Sequence, residues 1–162
     1  MKYELEIKDG HAVTDEELKD FMALVLSDNQ VAHIGLDDRI RGCHHLAFLR
    51  KGKVTVAVGA IKNNPAYRDE LISKSGTELA PERYLGEVGY LHTSSDYRRR
   101  NCAELVLKGL LEKAGGKSLF STVQGKNAAS QGLLAKCGFG RSGSQWKSEQ
   151  KDDTVCLYLY SP

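Results

Sequence analysis

The sequence predicts an α/β fold in which a mixed sheet carries helices on its faces. Alternating runs of apolar and polar residues indicate strands, and amphipathic segments with capping residues indicate helices. The strands dominate the centre of the chain, and helices interrupt them in the second half. The resulting order, β-α-(α)-β-β-(α)-β-α-β-α-β-β, is typical of a mixed α/β sheet.

The length and composition fit one globular domain over residues 1–162. Hydrophobic residues make up 41% of the 162 residues and charged residues 27%, which excludes a disordered chain. The formal net charge of +2 argues against holding nucleic acid by bulk charge, so we expect no nucleic-acid partner. No apolar run is long enough to span a bilayer, and the N-terminus lacks a signal-peptide pattern. We therefore expect a cytoplasmic protein with no membrane partner.

The cysteines predict free thiols rather than disulfides or a metal site. They are far apart in the sequence and form no Cys-x-x-Cys pair. The run Cys43-His44-His45 contains metal-binding residue types, but neighbours in an extended segment point to opposite faces, so we expect no metal. The cysteines are Cys43, Cys102, Cys137 and Cys156.

The N-terminal elements are a strand and a capped helix. Tyr3–Ile7 alternates and indicates a strand. Thr14 begins a helix, because Glu17 stands three residues later as the reciprocal partner of a capping box, and the apolar face continues to about Ser27. Residues 29–42 are ambiguous and predict a short helix with loops.

A hairpin and a short helix follow. His45–Leu49 and Val54–Ala60 read as strands joined by a turn at Lys51-Gly52. A helix is expected from Pro65 to about Ser75, since proline suits the first helical position and Gly76 stands just past the end.

The second half alternates strands and helices. Gly115-Gly116 and Gly138 end the two helices. The predicted strands are 85–93, 119–123, 139–146 and 154–160, and the predicted helices are 101–114 and 127–136.

The most informative turn joins the strand 85–93 to the helix 101–114. The unpaired N–H groups at the start of a helix, together with the helix dipole, suit a phosphate or pyrophosphate. Arg98-Arg99-Arg100 stands in this turn, and the small Asn101 and Ala103 would allow close approach to the backbone. A solvated basic surface remains the alternative. The common nucleotide loops GxxxxGK(S/T) and GxGxxG are absent.

This region resembles the GNAT superfamily of acyl-CoA-dependent N-acetyltransferases. Arg98-Arg99-Arg100-Asn101-Cys102-Ala103, preceded by Asp96-Tyr97, is similar to the family signature (Gln/Arg)-x-x-Gly-x-(Gly/Ala). Residues 127–139 are similar to the family's Asn-x-x-Ala-x-x-x-Tyr-x-Lys-x-Gly-Phe. The element order is similar over nearly the whole chain, and the motifs are specific over residues 87–139.

Two residues depart from the family pattern. Asn101 replaces the middle glycine, and asparagine tolerates a left-handed backbone better than most residues. Leu134 stands where many members have a tyrosine that protonates the departing thiolate, and leucine cannot donate a proton.

The resemblance implies a mostly antiparallel GNAT-like sheet of about six to seven strands with about four helices. The family's sheet opens between its fourth and fifth strands, here 85–93 and 119–123, and acetyl-CoA is the cosubstrate in that cleft. The pantetheine would pair with the backbone of this sheet like an added strand. The implied cofactor residues are Leu91, His92, Thr93 and Asn127 for pantetheine, Arg98, Arg99, Arg100, Asn101, Cys102 and Ala103 for pyrophosphate, and Ser130 and Lys136 for the cofactor edge.

The resemblance also implies direct attack of an amine on the thioester. Glu87 stands where a glutamate serves as the base in one branch of the family, and His92 is the rival. The alternative for Glu87 is a half-exposed strand residue or an ion-pair partner. A backbone N–H of Leu91 or His92 would stabilise the developing oxyanion.

The surrounding residues are assigned more loosely. Tyr90 is expected to pack, and Ser94 or Ser95 is an alternative proton donor. Tyr158 and Tyr160 could face the acceptor or form one ordinary strand face. The acceptor segment would be about residues 27–42, where paired aspartates either attract a cationic amine or belong to a solvated loop. Its charged residues are Asp28, His33, Asp37, Asp38 and Arg39.

The expected acceptor is a small-molecule or protein amine. Two alternatives stay open: an enzyme that acetylates aminoacyl-tRNA, and a degenerate domain that binds acyl-CoA without catalysis. A homodimer is also left open, with residues 155–160 as a strand edge.

Overall fold

The computed structural model describes residues 2–27, 31–149 and 151–162. Within these ranges seven strands form a mixed sheet in the order β1-β2-β3-β4-β5-β7-β6, accompanied by five α-helices, so the predicted fold class and element order are confirmed. The strands are β1 Tyr3–Asp9, β2 His45–Lys51, β3 Val54–Lys62, β4 Tyr84–Thr93, β5 Ser118–Gln124, β6 Gly140–Lys147 and β7 Thr154–Tyr160. The α-helices are α1 Asp15–Val25, α2 Leu36–Arg41, α3 Pro65–Ser75, α4 Cys102–Lys113 and α5 Ala128–Lys136, and short 3-10 turns cover Gly10–Ala12 and Ser95–Tyr97.

The chain divides into two compact units. The first contains residues 1–63 and 88–113, and the second contains residues 64–87 and 114–162. Each unit therefore consists of two separate stretches of sequence. The single domain over residues 1–162 stays a prediction.

The first unit is built on antiparallel strands and the capped helix α1. Tyr3 pairs with Lys51 across β1 and β2, and β2 pairs with β3. The predicted capping box is present: the Thr14 hydroxyl accepts the Glu17 N–H at 3.1 Å, and the Glu17 carboxylate accepts the Thr14 N–H at 3.0 Å. Phe21 of α1 is fully buried and packs edge-on against Phe48, with ring centroids 5.6 Å apart.

Two glycines let α4 pack closely in the first unit. A side chain at Gly109 would collide with Leu5 of β1. A Cβ at Gly59 would lie 2.7 Å from both Leu91 and Val106. A side chain at either position would therefore force these neighbours to shift, and the glycines let α4 lie closely against the strands of this unit.

The second unit contains the parallel pair of the sheet. β4 pairs with β5 in parallel, with Glu87 opposite Phe120, whereas β7 is antiparallel to both β5 and β6. Parallel neighbours need a long crossover, and α4 lies in the connection between β4 and β5. Leu71 of α3 and Leu157 of β7 are fully buried in the core of this unit.

Arg68 attaches α3 to the start of β4. Its guanidinium is buried, donates to the carbonyl oxygens of Tyr84 at 3.0 Å and Leu85 at 3.3 Å, and lies 5.5 Å from the Phe120 ring centroid. Burial lowers the pKa of this guanidinium, which remains within reach of backbone oxygens that compensate its charge. No local sequence pattern predicts this contact.

The suggested strand edge at residues 155–160 is wrong. β7 lies between β5 and β6 and uses both of its sides for pairing, so the end strands of the sheet are β1 and β6. The homodimer itself stays a prediction.

Among the described residues, no helix is long and apolar enough to cross a membrane.

Candidate active site

The loop before α4 has an unusual backbone. Arg99 and Asn101 both have positive φ, at 62° and 61°, which side chains other than glycine seldom adopt. Asn101 thus takes the left-handed conformation at the position where the related motif has glycine. The Leu105 N–H donates to the Asn101 carbonyl at 3.1 Å, which begins the helical ladder and leaves the earlier amides at the helix start.

Three arginines surround this helix start, and all three are exposed. Arg98 Nε donates to the Thr93 carbonyl at 3.5 Å, and the Arg100 guanidinium lies 5.5 Å from the Tyr97 ring centroid. The positive end of the α4 dipole adds to their charge. Amide donors, cations and a tight backbone at one helix start fit a pyrophosphate group.

The end of β4 contains an irregular residue. Tyr90 has a φ of 54°, is 9% exposed and packs edge-on against Phe21 at 6.2 Å, so the expected packing role agrees with its position. A left-handed residue interrupts the regular pleat of a strand. Leu91, His92 and Thr93 follow it and are half-buried.

Glu87 is a buried carboxylate. It is 6% exposed, and its Oε2 accepts a hydrogen bond from the Thr122 hydroxyl at 3.0 Å. The alternative of a half-exposed strand residue is therefore wrong. Glu87 and Thr122 belong to the second unit, whereas His92 belongs to the first. A buried carboxylate held by a hydroxyl is chemically able to accept a proton.

The start of α5 is capped by the Asn127 side chain. The Asn127 side-chain oxygen accepts the Ser130 N–H at 3.1 Å, so this cap was correctly predicted. The Asn127 oxygen is thereby engaged, while its amide group can still donate. Lys136 lies in the last turn, about 9 Å from Ser130 along the axis at 1.5 Å per residue. These two predicted cofactor residues therefore lie at opposite ends of α5.

Leu134 is buried rather than directed to solvent. It is 2% exposed, and Phe139 after it is 4% exposed. The Phe139 N–H donates to the Leu134 carbonyl at 2.9 Å. The side chain at the position of the family tyrosine is therefore a packing residue in this chain.

The charged side chains of the predicted acceptor segment have contacts that the sequence did not suggest. Arg39 donates through both terminal nitrogens to the carbonyls of Ile34 and Ala32, each at 2.6 Å, and so holds this loop together. Asp37 and Asp38 are exposed in the first turn of α2, where carboxylates stabilise the helix dipole. The other two candidates are His33, which is exposed, and Asp28, which lies outside the described residues.

The remaining tyrosines and serines have these positions. The Tyr158 hydroxyl donates to Gln131 Oε1 at 3.4 Å, and Tyr160 packs on Phe139 with centroids 5.4 Å apart. Ser94 is half-buried and its N–H donates to the Val56 carbonyl, whereas Ser95 is exposed. The two tyrosines thus have packing partners in the second unit.

The side chains of the metal-like run have separate partners. The Cys43 thiol donates to the Arg39 carbonyl at 3.4 Å, and His45 Nδ1 lies 3.1 Å from the Asp9 carboxylate. Burial lowers the pKa of His45 against the opposing effect of Asp9. All four cysteines lie within the described residues, and none of them is joined in a disulfide there.

Sequence reasoning missed the partners of the predicted residues. Thr122 follows Phe120 by two residues in β5, so strand alternation could have placed it on the Glu87 side. Tyr3 packs edge-on against Tyr97 at 6.5 Å, a contact between residues 94 positions apart for which no local pattern exists.

Comparison with known proteins identifies the family. Residues 11–139 match the family model described as "Acetyltransferase (GNAT) family". No curated protein matches the sequence significantly. The chain is similar to three solved structures that cover nearly its full length, and at such low identities the likeness shows the fold.

The first of these is ElaA from Escherichia coli, with a TM-score of 0.73 and 11% identity over 99% of this chain and 100% of that one. A GNAT-family acetyltransferase from Streptococcus agalactiae has a TM-score of 0.72 and 17% identity over 98% and 95%. The NatC complex, solved with Gag peptide and CoA, includes a chain with a TM-score of 0.72 and 13% identity over 100% and 99%. The chain belongs to the GNAT acetyltransferase family and is a transferase.

Proposed function

We propose that this protein transfers an acetyl group from acetyl-CoA to a primary amine of a small molecule or a protein. The observation that carries the proposal is the α4 start, where Arg98–Arg100 and the left-handed Asn101 form a cationic site with amide donors. Acetyl-CoA-dependent transfer is general to the family, and one structural neighbour was solved with CoA.

The pyrophosphate of acetyl-CoA would bind the amides and arginines of residues 98–103. The pantetheine would lie along the backbone of Leu91, His92 and Thr93, in the manner of an added strand. Asn127 supports pantetheine through its amide group, because its oxygen already caps α5. Ser130 stays a candidate beside Asn127, whereas Lys136 is less favoured because it stands at the far end of α5.

The chemistry that acetyl-CoA supplies is an activated acetyl thioester. The acceptor arrives mostly as an ammonium ion, which has no lone pair, so a base must take its proton. We propose Glu87 as this base, directly or through a water molecule. Its side chain is buried, and the Thr122 hydroxyl fixes one carboxylate oxygen, which orients the other. The half-buried His92 is the rival base.

The negative charge that develops on the carbonyl oxygen would be stabilised by a backbone N–H of Leu91 or His92. The left-handed Tyr90 immediately before them supports this assignment, because it turns the following peptide groups out of the regular strand direction. The departing thiolate takes a proton from Ser94, Ser95 or water, since Leu134 is a buried hydrocarbon.

The two alternatives receive unequal support. A degenerate domain without catalysis is favoured by Leu134, but the left-handed Asn101 preserves the shape that the motif needs. An aminoacyl-tRNA acceptor requires a basic surface, and the net charge of +2 gives it little support. A cytoplasmic location and a homodimer remain predictions.

Acetyl-CoA binding tests the cofactor site. We expect a rise in Tm with acetyl-CoA, and no rise at concentrations well above micromolar would contradict the proposal. Acyl transfer to a panel of amines then tests Glu87→Gln, which keeps the acceptor oxygen for Thr122 and removes the base. We expect kcat to fall by about 10²- to 10⁴-fold while acetyl-CoA binding persists.

Glu78→Gln is the matched control, because Glu78 is an exposed glutamate of the same unit. Its rate should equal that of the native protein. An unchanged rate in Glu87→Gln would remove Glu87 as the base, and His92→Gln would then be tested against the same amines.

A further inference from the structure

Four side chains form a cluster at the arginine loop. The cluster consists of Tyr3 at the start of β1, Lys51 at the end of β2, Tyr97 and Arg100, and we call it the loop clamp. The Lys51 ammonium lies 5.7 Å from the Tyr3 ring centroid and 5.8 Å from that of Tyr97. The two rings meet edge-on at 6.5 Å, and the Arg100 guanidinium lies 5.5 Å from the Tyr97 centroid. Cations on aromatic faces attract the ring quadrupole.

The base of the loop clamp is a fixed part of the sheet. Tyr3 and Lys51 are direct partners in the antiparallel β1–β2 pairing. A hydrogen bond with the Cys102 thiol raises the pKa of the Tyr3 hydroxyl, and the Arg100 guanidinium opposes that rise. Tyr3 therefore lies close to Arg100 and to the first residue of α4.

The loop clamp surrounds the strained backbone. Tyr97 stands before the left-handed Arg99, Arg100 stands between Arg99 and Asn101, and Cys102 follows. A left-handed conformation of a residue other than glycine is unfavourable and persists only where its surroundings hold it. The contacts of Tyr97 with Tyr3 and Lys51 join this segment to β1 and β2.

The three arginines thus differ in their contacts. The Arg100 guanidinium is engaged with Tyr97 and Tyr3, and Arg98 reaches back to the Thr93 carbonyl. Arg99 has left-handed backbone and an exposed side chain. The ring contact restricts where the Arg100 guanidinium can lie, although its in-plane N–H groups can still donate.

We propose that the loop clamp holds the phosphate-binding loop in its binding conformation, with Arg100 as a positioning residue and with Arg98 and Arg99 as the arginines that contact phosphate. The division of roles rests on the proposed acetyl-CoA function. The holding of the loop does not, so the two are tested separately.

The first experiment measures the Kd of acetyl-CoA at several salt concentrations. Arg99→Ala should weaken binding by about ten-fold or more at low salt and reduce its salt dependence, because a phosphate contact is lost. Arg100→Ala should weaken it by roughly two- to five-fold with the native salt dependence, and Arg100→Lys should recover part of the loss.

A double-mutant cycle separates positioning from simple loss of stability. Tyr97→Leu and Arg100→Ala should be coupled in their effect on the Kd, whereas Tyr97→Leu and Arg99→Ala should combine additively. Lys53→Ala is the control, since Lys53 is an exposed lysine of the same hairpin. A purely structural role would lower Tm and leave the Kd, measured well below Tm, unchanged, and that result would overturn the positioning role.

The second experiment needs no cofactor. Trypsin cleaves after Arg98, Arg99 and Arg100 when the loop opens, so the initial rate of cleavage there reports how firmly it is held. Tyr97→Leu should raise this rate roughly two- to five-fold, and Tyr97→Phe, which keeps the ring, should leave it native.

Each result has a single meaning. An unchanged cleavage rate in Tyr97→Leu overturns the loop clamp, whether or not acetyl-CoA binds. Equal losses of salt dependence in Arg99→Ala and Arg100→Ala overturn the division of roles. Failure of the native protein to bind acetyl-CoA overturns the proposed function, and with it the division of roles, while the cleavage rates still decide whether the loop is held.

Discussion

The start of α4 differs from the starts of α1, α3 and α5. In α1, α3 and α5 a side-chain oxygen of Thr14, Asn64 or Asn127 accepts a backbone N–H from the first turn, each at 3.1 Å. Before α4 the chain has Asn101, whose φ of 61° lies outside the extended geometry that a capping residue uses.

The three capped starts each have one first-turn amide bound by a side chain, whereas the start of α4 follows left-handed backbone. A capping side chain takes up an amide that would otherwise be offered to an anion. The start of α4 is surrounded by three arginines and begins after strained backbone, which supports the binding role proposed for it.

The largest effect is expected for substitutions of Asn101 at the start of α4, where acetyl-CoA affinity should change. Asn101→Val places a β-branched side chain in left-handed backbone, which costs about 1–2 kcal/mol or more and should weaken acetyl-CoA binding by roughly ten-fold. Asn101→Gly is the matched control and should bind at least as well as the native protein. Titration calorimetry measures both Kd values, and equal affinities for Val and Gly would show that the left-handed backbone is not needed for binding.

An intermediate effect is expected at the capped start of α5, where the loss of the cap lowers stability. Asn127→Ala removes the bond to the Ser130 N–H and should cost about 1 kcal/mol, or about 2–4 °C in Tm. Asn127→Asp keeps the capping oxygen and removes the amide donor. It should leave Tm close to native and raise the KM for acetyl-CoA if the amide contacts pantetheine. A native KM in Asn127→Asp would limit Asn127 to capping.

The start of α1 gives the smallest effect, and it depends on pH. Burial tends to raise the pKa of Glu17, but the hydrogen bonds from Lys8, at 2.6 Å, and from Thr14 hold it below its ordinary value. A carboxyl with a lowered native pKa stabilises the fold above its ordinary pKa, and this contribution is lost as the pH falls through the native pKa.

Glu17→Gln should therefore lower the stability at neutral pH by about 0.5–1 kcal/mol, because the ion pairs with Lys8 and Arg50 lose their charge. Urea unfolding at neutral pH and below the ordinary glutamate range measures the difference. It should vanish at the acidic end, whereas a constant difference would mean that Glu17 acts through its shape alone. Glu16→Gln, an exposed neighbour, is the control.

Local signals made the element order predictable. Alternation, capping residues and glycine stops act within a few residues, so the box at Thr14, the cap at Asn127 and the α4 region could be found from sequence. The buried Arg68 could not, because its acceptors lie 16 and 17 positions away and depend on how α3 packs. The place of β7 inside the sheet is likewise a matter of tertiary pairing.

The candidate site likewise contains residues that were predictable from sequence and residues that were not. The motif predicted the arginine loop and the position of Glu87, and the tolerance of asparagine for left-handed backbone was a usable expectation for Asn101. The role of Asp37 and Asp38 at a helix start and the engagement of Arg39 with its own loop were not visible, because a charge in a sequence does not reveal its partner.

The interleaving of the two units bears on the order in which the protein takes shape during synthesis. Residues 64–87 belong with residues 114–162, so Arg68 and Leu71 leave the ribosome well before Phe120 and Leu157, which they pack with. At the usual 5–20 residues per second, the interval to the end of β7 is on the order of several seconds. During that time the side chains of α3 lack the partners that cover them in the folded unit.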